Sequence, residues 1–195
     1  MRPIRVMLSL ILLSLATAAF AQSDAKKPQT DAQKSFDTLK TLAGTWEGPV
    51  TMDGQAHEHA KGVPDTTKVS LRVTSRGNAL VHEMGDMNRS DDPAKYDHPV
   101  TMFYVDEDRL LLTHFCDAGN RPRLVSKVSP DGKKIEFDFV DVSGNTQFGH
   151  MYHAVFTIID ANHHIEEWTF KLPGDKFMSG RLDLQRVKKQ EVASR

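Results

Sequence analysis

Apolar and polar residues alternate along most of this chain, in short runs separated by Gly, Pro, Asn and Asp. A period of two is the signature of strands with one face buried and one face wet. The runs at 45–53, 67–75, 79–86, 100–106, 109–117, 123–129, 134–142, 152–160, 164–171 and 176–187 predict ten β-strands. Most joints are short and carry turn chemistry, as in Arg76-Gly77-Asn78, Asp106-Glu107-Asp108, Pro130-Asp131-Gly132, Asp160-Ala161-Asn162 and Pro173-Gly174-Asp175. Short joints make neighbouring strands antiparallel. Ten such strands in an open sheet would leave two long edges, whereas closure removes them. The expected fold is therefore all-β, an antiparallel up-and-down ten-stranded barrel.

One segment breaks this period. Phe36, Leu39 and Leu42 recur at helical spacing behind a capping Thr30 or Asp31, with Gly44 as the stop, so one short helix precedes the first strand. Two longer polar stretches, 54–66 and 87–99, contain Pro64 and Pro93 and are expected as rim loops.

The N-terminus has a different composition. Arg2 and Arg5 precede an apolar stretch at 6–15 and a small-residue exit at Ala19-Phe20-Ala21, the pattern of a secretory signal peptide cleaved near Ala21. The apolar stretch is too short to span a bilayer, which takes about 20 residues. Residues 22–30 are a polar lead-in, 31–187 form one barrel domain, and 188–195 are a charged tail. The expected location is periplasmic or secreted, without a membrane anchor. With 25 basic and 26 acidic side chains the 195-residue chain has no charge excess to draw nucleic acid. Cys116 is its single cysteine, which excludes an internal disulfide.

The segment Gly44-Thr45-Trp46-Glu47-Gly48 opening the first strand, together with Leu182-Asp183-Leu184-Gln185-Arg186-Val187 in the last, resembles the calycin superfamily of lipocalin-like barrels. The strand count is closer to its nitrobindin and fatty-acid-binding branch than to eight-stranded lipocalins. Leu112-Thr113-His114-Phe115-Cys116 followed by Gly119-Asn120-Arg121-Pro122-Arg123 resembles a bacterial family of secreted, functionally undescribed domains in that superfamily. The resemblance implies that Trp46 plugs one barrel end and that Arg186 caps its ring, a structural floor with Arg181 as the second candidate. It also implies haem as a cofactor, bound in nitrobindin-like proteins through a His in the stretch corresponding to 176–187. That stretch has no His here, so haem is disfavoured and no cofactor is expected.

Most inward positions are apolar: Val69, Leu71 and Val73; Ile135, Phe137 and Phe139; Phe156 and Ile158. Polar residues interrupt the same faces. His82 lies between Leu80 and Met84, His114 follows Leu110 and Leu112, Tyr104 follows Met102, and Glu166 stands with Trp168 and Phe170. An apolar cavity with a few convergent polar groups is how a small-molecule site is made, although hydrogen-bonded core side chains give the same pattern. His82, Tyr104, His114, Glu166 and Trp168 are the candidate ligand contacts. Arg123, in what reads as the hairpin 119–123, would grip an acidic group at the rim.

No catalytic residues are assigned. His114 and Cys116 stand two apart on one strand, about 7 Å, too far for direct proton transfer. Glu166 and Glu167 point to opposite faces. The histidines at 57, 59, 150, 153, 163 and 164 form no complete metal-ligand set at a known spacing, and no metal is assigned. The expected partner is a small apolar or amphipathic molecule. The alternatives are a haem-dependent or other calycin-type enzyme, and a protein-interaction barrel; the oligomeric state is left open.

Overall fold

The computed structural model describes residues 28–54, 65–86, 92, 95, 97–129 and 131–188. The signal-like segment, most of both expected rim loops with His57 and His59, and the tail from 189 lie outside the described residues. A helix α1 (Asp31–Lys40) is followed by strands β1 (Gly44–Gly54), β2 (Thr66–Thr74), β3 (Ala79–Asp86), β4 (Val100–Asp106) and β5 (Arg109–Phe115). The chain continues through β6 (Asn120–Val128), β7 (Lys134–Gly144), β8 (His150–Asp160), β9 (His163–Leu172) and β10 (Lys176–Arg186). Every strand pairs antiparallel with its sequence neighbours, and β1 pairs β10, so the sheet closes as an all-β ten-stranded barrel.

Thr30 caps α1 by accepting a hydrogen bond from the Gln33 N–H, and the helix ends at Lys40 rather than running to Gly44. Its apolar stripe, Ala32, Phe36 and Leu39, joins Leu42 in the core. The Trp46 indole donates to the Leu42 carbonyl at 2.7 Å, which ties the first strand to the chain leaving the helix. Over the Trp46 ring, 4.0 Å from its centroid, lies the Arg186 guanidinium. That group also donates to the carbonyls of Ala43, Thr41 and Ala161, so one cation from the last strand satisfies backbone of the connection entering β1 and of the β8–β9 turn. Gly48 lets β1 and β10 close, because a Cβ there would stand 1.9 Å from the Asp183 carbonyl oxygen.

The core is a stack of rings. Phe103, Phe137 and Phe156 meet at centroid distances of 5.4–6.1 Å, and Trp168 meets Phe156 at 5.5 Å. All three phenylalanines are fully buried. The middle of this barrel is therefore filled with side chains.

Candidate functional site

On β9 the residues His164, Glu166 and Trp168 share the inward face, and all three are buried. Glu166 has no solvent exposure and accepts three hydrogen bonds. His82 Nε2 reaches its Oε2 at 2.9 Å, the Trp168 indole donates to the same oxygen at 3.0 Å, and His164 Nε2 reaches Oε1 at 3.0 Å. The carboxylate thus links β3 to β9 across the barrel. Burial pushes the Glu166 carboxyl up, but the His82 charge and the hydrogen bonds from His164 and His82 outweigh it and hold its pKa well below the carboxylate range.

His114 completes the cluster. Its ring lies 5.8 Å from Trp168, which also meets His82 at 5.4 Å. Thr101 Oγ1 holds His114 Nδ1 at 2.8 Å. Burial, with the His82 charge adding to it, lowers the His114 pKa to about 4, so this ring is neutral at neutral pH. Three buried polar atoms among the described residues have no partner: His82 Nδ1, His164 Nδ1 and Asn120 Oδ1. The cluster can orient a neutral imidazole and hold a fixed negative charge. It makes no nucleophile.

Of the sequence candidates, His82, His114, Glu166 and Trp168 come together. Tyr104 does not. Thr101 and Phe103 are the fully buried positions of β4, which turns Tyr104 outward, where its hydroxyl hydrogen-bonds Thr113 at 3.2 Å. The inward expectation for Tyr104 is one residue out of register. Arg123 is also displaced from its expected rim. The turn is at 116–119, where the Gly119 N–H donates to the Cys116 carbonyl, and β6 already runs from Asn120. Arg123 sits on the outer wall and donates through Nε to Asp141 at 2.8 Å, in a bidentate pair. Pro122 is tolerated inside β6 because the ladder to β5 holds only Leu111, Leu112 and Thr113.

His164 and Thr101 were not among the candidates. The signal for His164 was present: it stands at period two from Glu166 and Trp168. Cys116 is half-buried, and burial, with Asp97 and Asp117 nearby, raises its pKa, which leaves it no thiolate character. β10 offers no imidazole for a haem iron, and the residues present do not fit that role.

No family model and no curated protein sequence matches the chain. Among solved structures the chain is similar to Rv2717c from M. tuberculosis, with 12% identity, a TM-score of 0.56, and 79% of this chain and 98% of that chain covered. At that identity the likeness is one of fold. A DUF3598-family protein of unknown function from Nostoc punctiforme superposes over 76% of this chain and 49% of its own, with 9% identity and a TM-score of 0.46.

Proposed function

We propose that this is a calycin-type binding barrel that holds a small, largely apolar molecule in its interior, above the cluster of His82, His114, Glu166 and Trp168. The observation that carries this reading is the fully buried Glu166, gripped by two imidazoles and an indole in an otherwise aromatic core. A buried charged network is commonly no more stabilising than apolar residues of the same volume. A barrel selected for stability alone has no need of it, whereas a ligand site needs a few fixed polar groups in apolar surroundings. Because the middle of the barrel is filled, the molecule belongs at the end where β5 meets β6, with His114 and Trp168 beneath it. Arg123 is engaged by Asp141, so nothing favours an acidic ligand over a neutral one.

Periplasmic or secreted action, after cleavage near Ala21, is part of the same proposal, and N-terminal sequencing of the mature protein checks it. Native mass spectrometry of protein purified from a periplasmic extract checks the binding. The expected spectrum contains a retained small molecule that is lost in Trp168→Ala. A bare mass for the wild-type protein, with no apolar probe taken up on titration, contradicts the proposal.

A further inference from the structure

The ladder between β7 and β8 is incomplete. Both strands have 11 residues, yet their register runs only from Lys134↔Thr157 to Asp138↔His153. Beyond it, 139 and 141–144 pair with β6, while 150 and 151 pair with β9. Among the described residues no register pair joins these two halves. Each strand carries an irregularity at this point, between Arg123 and Leu124 in the β6–β7 register and between Met151 and His153 in the β8–β9 register. The connecting segment 145–149 is pinned by one side chain: Asn120 Nδ2 donates to the carbonyls of Asn145 and Gly149, both at 2.8 Å. The stretch of wall where β7 and β8 do not pair is termed the window. Its sill is the Asp138↔His153 pair and its lintel is the pinned turn.

Two observations point to a ligand there. Rings from the two strands meet across the window: Phe139 lies 4.7 Å from His150 and stacks on Tyr152 at 5.5 Å and 20°. Tyr152 is 36% exposed, so it can swing outward without leaving a core position. Asn120, only 2% exposed, has an unpartnered buried Oδ1. Its orientation is fixed, because the two carbonyls it faces require the nitrogen end. An amide oxygen without a donor in such a place is a free energy deficit of the empty protein, and an incoming donor removes it.

We propose that the β7–β8 window admits the ligand and selects its class: a flat aromatic molecule bearing one hydroxyl or amine N–H, which stacks against Phe139 and donates to Asn120 Oδ1. This rests on the interior-binding reading and adds to it a route and a chemical class. A site that hydrogen-bonds a hydroxyl rejects the analogue lacking it, because its own acceptor is then left unpaired.

The test titrates the full chain with 1-naphthol and with 1-methoxynaphthalene, which differ in that single donor, and follows quenching of Trp fluorescence. In the wild type 1-naphthol should bind about tenfold more tightly. Tyr152→Ala, a change at an exposed ring, should speed association of both probes several-fold. Asn120→Leu should abolish the preference, and the wild-type comparison carries the test if that variant does not fold. Equal affinities, or an association rate unchanged in Tyr152→Ala, overturn the window while leaving interior binding standing. Absence of binding by either probe overturns both.

Discussion

His114 and Glu166 are neighbours in one cluster with opposite roles, set by surroundings. Glu166 gathers three donors and stays charged; His114 is kept neutral by burial, with the His82 charge adding to it. Glu166→Gln replaces a double acceptor by an amide that accepts at one atom, leaving at least one buried donor unpaired. The expected loss is about 2 kcal/mol in urea unfolding. Alternation alone brought four of these side chains to one place. It failed at Tyr104 for a physical reason: β4 is apolar on both faces, since outward Val81 and Leu111 on the flanking strands are themselves buried, and such a strand gives no polar side by which to set its register. His164 was passed over because it stands beside a turn and next to a second histidine, although it lies on the face that Glu166 and Trp168 define.

At the level of elements, every strand and the helix were legible, because turn residues punctuate the alternation so regularly. What pattern could not show was where ladders stop. Nothing in 139–144 or 150–152 marks them as unpaired with each other; the gap follows from two register irregularities that leave no mark in the alternation. Strand ends were likewise misjudged at β6, where Asn120 looked like a turn residue and instead faces inward to hold the 145–149 connection. The closure between first and last strands is testable here. Arg186→Ala removes the cation over Trp46 and three hydrogen bonds to carbonyls. A loss of about 2–3 kcal/mol is expected from chemical denaturation. Gly48→Ala should cost a similar amount, about 1–3 kcal/mol, because its Cβ would overlap the Asp183 carbonyl and push β1 from β10.

For the whole molecule, the buried cluster predicts an acid-labile barrel. The folded His114 pKa near 4 lies below the ordinary imidazole value of 6.5, so between these values the unfolded chain binds more protons than the folded one. Stability is then full above pH 6.5 and falls as the pH drops toward 4, by about 3 kcal/mol from this residue. Glu166 adds to the loss only below the ordinary glutamate value of 4.5, since its folded pKa is lowered. Thermal midpoints across pH 4–7 should trace this decline, and His114→Gln, which can keep the Thr101 hydrogen bond, should flatten it. The ligand site itself is best tested by a probe that separates its two tryptophans. Trp46 stands on the floor under Arg186, its ring 4.2 Å from His164, whereas Trp168 donates to Glu166 itself, so their indole N–H resonances in a ¹H–¹⁵N spectrum, assigned with Trp46→Phe, report on the floor and on the cluster above it. Titration with 1-naphthol should shift the Trp168 resonance in a saturable way and move Trp46, one imidazole further from the probe, less. A Trp168 resonance that does not move at saturating probe, or one that moves less than Trp46, contradicts a site above the His82, His114, Glu166 and Trp168 cluster.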